Sequence, residues 1–191
     1  MSKKEKCDHV IAHYSKLIES NPNDYRAYNN RGNAYQKRGD YDLSLADYDQ
    51  ALELNPSFDL CYINRGNTYQ KTGNYERAVA DYDKAIALNS ENSMAYNNRG
   101  FVYMLMQKND EAERDIKKSI ELNPNNIYAL NSMAEFYAIL GNAPDACKWL
   151  REAIDKGYNN WLYIKTSNTY NKIRAAACFK EIMTKVKGDR G

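Results

Sequence analysis

Long hydrophobic runs are missing from this chain. No apolar stretch approaches the roughly 20 residues needed to span a bilayer, so no transmembrane segment is expected. A surplus of one charge is missing as well. The 27 Lys and Arg against 25 Asp and Glu leave a net charge of +2, which speaks against bulk attraction to nucleic acid or to a membrane surface. Cys7, Cys61, Cys147 and Cys178 stand without framework spacing, the pattern of a reducing compartment. The opening MSKKEKCDHVIAHY is basic but has no sustained apolar core and no cleavage site, so no secretory signal is read. Cytoplasmic localisation is the expectation.

The motifs of catalysis are absent too. There is no glycine-rich phosphate loop after a strand, no HExxH, no nucleophile elbow and no Cys–His arrangement that makes a convincing nucleophilic site. Neither an enzyme nor a bound cofactor is expected. His9 and His13 lie four apart with Cys7 nearby, a conceivable metal pair. No second ligand cluster accompanies them, and no metal site is assigned.

What is present is periodicity. The stretch Asp59–Asn92, DLCYINRGNTYQKTGNYERAVADYDKAIALNSEN, superimposes on Tyr25–Phe58 and on Ser93–Asn126 after shifts of 34 residues. A looser fourth copy runs over Ile127–Tyr158. A fixed period of this size marks a repeat architecture. Within a copy, Tyr62 and Tyr69 are seven apart, and Tyr75, Ala78, Tyr82, Ala85, Ile86 and Leu88 form a second stripe. Both spacings are helical. Thr72-Gly73-Asn74 separates them, with a glycine able to take the left-handed conformation that closes a helix. Asn55-Pro56 and Asn123-Pro124 stop the second helix. Each copy is therefore a helix, a tight turn and a second helix.

Small residues recur where the two helices must approach. Gly32, Gly66, Gly100 and Ala134 hold one such place, Ser44, Ala78, Ala112 and Ala146 another, and Ala51, Ala85, Ser119 and Ala153 a third. On these residues the chain resembles the tetratricopeptide repeat (TPR) proteins. It departs from their pattern at Ser90 in place of proline, Gln107 in place of the turn glycine, and Ala143-Pro144 in the fourth turn.

The resemblance implies an all-α fold, a right-handed α-solenoid of helix-turn-helix repeats with a C-terminal capping helix. Residues 1–22 would be a tail (Met1–Lys6) and a half-repeat capping helix (Asp8–Ser20). Four repeats would occupy 23–158, at 25–58, 59–92, 93–126 and 127–158, with a connection and capping helix over 159–191. In that last region Trp161, Leu162 and Ile164 are expected to pack on the fourth repeat, and Thr166–Asn171 to form a polar connection. The final helix is placed at Ile173–Lys187, with Phe179, Ile182, Met183 and Val186 on its apolar face.

Three copies carry an arginine where the family usually has leucine: Arg31, Arg65 and Arg99. Sixteen residues later stand Asp47, Asp81 and Asp115; in the fourth copy both members change, to Met133 and Trp149. This coupled exchange predicts a structural Arg–Asp pair between the two helices of a repeat. Eleven of the 17 tyrosines fall on packing places, so the tyrosines are read as core.

In TPR proteins the first helices of successive repeats line a concave groove that receives peptide segments. The groove places carried over here are Arg26, Asn29, Asn33 and Lys37 in the first copy, then Ile63, Asn67 and Gln70. Met94, Asn97, Phe101 and Met104 follow in the third copy, and Asn131 and Glu135 in the fourth. Charge along these places falls from Arg26 and Lys37, through Lys71, to Glu135. A peptide with its acidic or carboxylate end near Arg26 and Lys37 and its apolar end over the third repeat would suit this gradient. The chaperone-type carboxylate clamp is not matched: Asn33 and Asn64 fit its asparagines, but Asn29 and Met94 stand where lysines are needed and Asn98 where an arginine is. The expected function is a non-enzymatic protein-protein interaction scaffold, with self-association as the alternative; neither nucleic acid nor membrane is an expected partner.

Overall fold

The helical period governs the whole described chain. The computed structural model describes residues 2–188, with side chains to residue 184. The described residues form helices and one 3-10 turn, without strands. They divide into two units after Ala95.

The first unit holds α1 (Lys3–Ser20), α2 (Tyr25–Arg38), α3 (Tyr41–Leu54), α4 (Asp59–Lys71) and α5 (Tyr75–Leu88). Here α2 pairs with α3 and α4 with α5, while α1 packs on α2 and α3 on α4. Residues 3–6, expected in a tail, are exposed but belong to α1. Ser2 caps α1, its hydroxyl accepting from the Glu5 amide while the Glu5 carboxylate accepts from the Ser2 amide. This reciprocal pair satisfies donors that an uncapped helix leaves open.

Most of the second unit is α6 (Ser93–Leu105), α7 (Asn109–Leu122), α8 (Ile127–Leu140) and α9 (Ala143–Asp155), followed by α10 (Trp161–Thr166), a 3-10 turn (Asn168–Ile173) and α11 (Ala177–Gly188). The last helix thus starts later than expected. Ile173, buried, belongs to the 3-10 turn; Tyr170, in the expected polar connection, is buried too, and Leu162 is exposed. Phe179 and Ile182 are buried in α11, which packs on α9; the side chain of Val186 lies outside those described. The scattered cysteine spacing does not foretell that Cys147 of α9 and Cys178 of α11 are disulfide-bonded. Cys7 and Cys61 are free and buried.

The glycines at the crossings leave no room for a side chain. A Cβ on Gly66 would lie 2.8 Å from the Tyr82 ring, which has no exposed surface. The turns follow one geometry with different residues. Gly73 takes φ 79°, and Gln107, at the equivalent turn, takes φ 59°, a conformation an L side chain adopts at some cost. Ser90 changes nothing locally: the helix cap before it (φ −144°, ψ 91°) matches the one before Pro56 (φ −142°, ψ 90°).

The arginine–aspartate pairs are all present. Asp47 accepts from Arg31 Nε and Nη2 at 2.8 and 2.7 Å, Asp81 from Arg65 at 2.9 and 2.6 Å, and Asp115 from Arg99 at 2.6 and 2.8 Å. Each guanidinium also sits over two tyrosine rings of its own helix. For Arg65 these are Tyr62 and Tyr69, at 5.6 and 6.0 Å from the ring centres, within cation–π range. Arg65 reaches back to Asp49 of α3 at 2.6 Å, and Arg31 to Ser15 of α1 at 3.1 Å. The tyrosines are therefore less a core than a collar: Tyr48 and Tyr82 are fully buried, whereas Tyr28, Tyr35, Tyr62, Tyr69, Tyr96 and Tyr103 are half-buried beside arginine. In the fourth copy Met133 is fully buried and packs in a cluster that Trp149 joins.

Candidate peptide-binding surfaces

In the first unit, a cleft of about 410 Å³ opens between α1 and α2. Lys3, Lys6 and Lys37 bring positive charge to it, Val10 and Tyr14 apolar surface, and Asn33 a polar floor. The acidic groups beside it are already engaged, because Arg38 bridges Asp8 (2.5 Å) and Asp40. Lys71 adds to the positive field: burial, and then the charge of Lys3, lower its pKa, and its ammonium donates to Gln36 Oε1 at 3.1 Å. Like charges held this close favour an anion among them.

Several residues expected to face a groove are committed elsewhere. Ile63 is fully buried and belongs to the core. Asn29 is buried and accepts from Asn64 Nδ2 at 3.0 Å. Asn33 and Asn67 use Oδ1 to accept the hydroxyls of Tyr48 (2.7 Å) and Tyr82 (2.8 Å); Gln70 lies 3.4 Å from the latter. Arg26 is exposed over the ring of Tyr25 and does not line the cleft. Met94 is exposed.

In the second unit, Asn97 and Phe101 of α6, Asn131 and Glu135 of α8, and Tyr158 and Tyr163 surround a pocket of about 630 Å³. Its polar wall is held in one arrangement. The Tyr170 hydroxyl donates to Asn131 Oδ1 at 2.9 Å, and Asn131 Nδ2 donates to Glu135 Oε1 at 2.6 Å. Burial pushes the Glu135 carboxyl up to about 7, against the hydrogen bonds from Asn131 and Tyr163 that lower it. Asn97 is buried, and its Oδ1 has no hydrogen-bond partner. Tyr128 and Tyr158, at the rim, meet edge to face at 6.4 Å. Met104 is buried in the α6–α8 core and not in this pocket, while Leu105 is exposed. Among the described residues that line the pocket Glu135 is the one carboxyl, and neither histidine nor cysteine accompanies it.

Reading the residues alone misses Lys3 and Lys6, expected in a tail, Tyr158, the last residue of the fourth copy, and Tyr163, beyond it. The signal for the first two is in the chain: Ser2-x-x-Glu5 is a capping box and marks a helix start at residue 3.

These helix-turn-helix pairs, with small residues at the crossings and arginine–aspartate pairs between them, define a repeat protein of the α-solenoid class. The tetratricopeptide repeat profile matches residues 25–58, 60–92 and 93–126, and a second profile of the same description matches 116–148. This chain belongs to the tetratricopeptide repeat family. Similar solved structures include MamA, 25% identical, covering 80% of this chain and 90% of MamA with a TM-score of 0.68. The first TPR of Spaghetti (RPAP3), bound to an HSP90 peptide, is 30% identical over 61% of this chain and 92% of its own, with a TM-score of 0.58. YrrB, a TPR protein with an unusual peptide-binding site, is 24% identical over 93% of this chain and 92% of its own, with a TM-score of 0.64. A search of curated proteins finds no match.

Proposed function

We propose that this chain is a non-catalytic interaction module that takes a peptide segment of a partner protein on the faces of its first helices. The observation that carries the reading is the α1–α2 cleft. Its lysines, Lys3, Lys6 and Lys37, line it with no carboxylate among the other lining residues, next to the apolar surface of Val10 and Tyr14. An acidic or carboxylate-bearing peptide end supplies the missing charge, and its neighbouring side chains cover the apolar part. The HSP90 peptide bound by the first TPR of Spaghetti, a similar fold, supports a peptide-binding reading. The chaperone-type clamp is unmatched, since Asn29, Met94 and Asn98 stand in place of its cations.

The test is to pan a random dodecapeptide display library on the whole chain, then measure the selected peptides by fluorescence anisotropy. Acidic sequences should be enriched. Lys6→Glu with Lys37→Glu should weaken them at least about tenfold, or ~1.4 kcal/mol, and added salt should weaken the wild type. Unchanged affinity in the charge-reversed variant would remove the acidic end from this cleft. If no peptide is retained, the interaction reading itself fails.

A further inference from the structure

The second-unit pocket has the opposite character. Its buried wall offers acceptors: Glu135, held by Asn131, and Asn97 Oδ1, which has no partner at all. The Asn131 amide is already spent on the Glu135 carboxylate. A buried acceptor left unpaired is costly, and a ligand N–H removes that cost. Around these acceptors stand aromatic rings, Phe101, Tyr158 and Tyr163, with Tyr128 set edge-on to Tyr158. Carboxylate, amide oxygen and ring faces together are the complement of an N–H-bearing cation.

Resting on the peptide-binding reading, we infer that the pocket lined by Asn97, Glu135 and Tyr158 receives the side-chain cation of an arginine or lysine in the partner peptide. The guanidinium or ammonium donates to Glu135 and to Asn97 Oδ1, and its alkyl stem lies against Phe101 and the tyrosines. Asn131 is a positioning residue, clamped by Tyr170 so that the Glu135 carboxyl stays aimed at the ligand.

The test uses the whole chain and capped tripeptides, Ac-Gly-Xaa-Gly-NH2, with Xaa arginine, lysine, citrulline or norleucine, followed by 1H–15N NMR. Arginine or lysine peptides should move the Asn97 and Asn131 side-chain amides at concentrations where citrulline and norleucine peptides, about tenfold weaker, barely do. The arginine and lysine arms show which cation is preferred. Glu135→Gln, which keeps the acceptor for Asn131, should reduce the response about tenfold while the spectrum stays that of a folded chain. Asn97→Leu should reduce it independently. Equal binding of the neutral peptides, or shifts that avoid α6 and α8, overturns the inference. If display-selected peptides bind the chain but are indifferent to basic residues and to Glu135→Gln, the cation site falls and the peptide reading stands. If no peptide of either kind binds, both fall.

Discussion

Removing Asp81 should do more harm than removing Asp81 and Arg65 together. In the wild type the Asp81 carboxylate is 7% exposed and its partner guanidinium 20%. Burial raises the Asp81 carboxyl above its ordinary value, and the Arg65 hydrogen bonds oppose the rise. The pair thus gains little over an apolar contact, in line with Met133 and Trp149 in the fourth copy. Breaking a buried pair from one side costs about 3–5 kcal/mol. Asp81→Leu should fall just below that range, about 2–3 kcal/mol, because Arg65 keeps Asp49 at 2.6 Å and part of its hydration. Arg65→Met strands the more deeply buried carboxylate and should cost about 3–5 kcal/mol. The double variant should return to within about 1 kcal/mol of wild type. For a chain of this size each kcal/mol moves Tm by about 2–4 °C, so Asp81→Leu should melt roughly 5–10 °C low. Urea and thermal unfolding by far-UV circular dichroism would read all four proteins. Additive losses in the double variant would refute the claim that the pair is one replaceable structural unit.

Other expectations follow from single features. Breaking the Cys147–Cys178 link, which closes a separation of 31 residues, should cost about 3–4 kcal/mol by loop entropy; Cys147→Ser/Cys178→Ser should melt lower, and dithiothreitol should lower only the wild type. Glu135, raised from 4.5 to about 7, contributes stability that is complete below pH 4.5 and is lost as pH rises through 7. Glu135→Gln should flatten that decline and leave the variant more stable than wild type at pH 8, by up to roughly 3 kcal/mol; Tyr158, Tyr163 and Tyr170, raised further by burial, stay neutral across this window. An unchanged pH profile would show that Glu135 is not buried as described. Gly66→Ala, forcing a Cβ against Tyr82 at 2.8 Å, should cost about 1–3 kcal/mol, whereas Gly73→Ala strains the backbone without a clash; chemical denaturation separates the two.

The repeat was legible because its signals are local and recur: tyrosines seven apart, a glycine turn, small residues at each crossing. The arginine–aspartate pairs were legible because the fourth copy changes both members at once. What escaped was what periodicity does not encode. Ile63 and Met104 hold first-helix places whose counterparts face outward in the family, yet here they are buried. Asn29 pairs with Asn64 across neighbouring copies, a contact fixed by helix packing and not by spacing. The second-unit pocket takes in Tyr158, at the very end of the fourth copy, and Tyr163, beyond it, which meet Asn97 and Glu135 only through the packing of that unit. The disulfide joins a repeat helix to the last helix for the same reason.

The most direct measurement is photo-crosslinking. A peptide selected on the whole chain would carry a benzoylphenylalanine at successive positions, with the linked sites mapped by mass spectrometry. The account predicts links on α2, among residues such as Asn33 and Lys37, and their loss in the charge-reversed cleft. Links confined to α3 or α5, with α2 untouched, would contradict it.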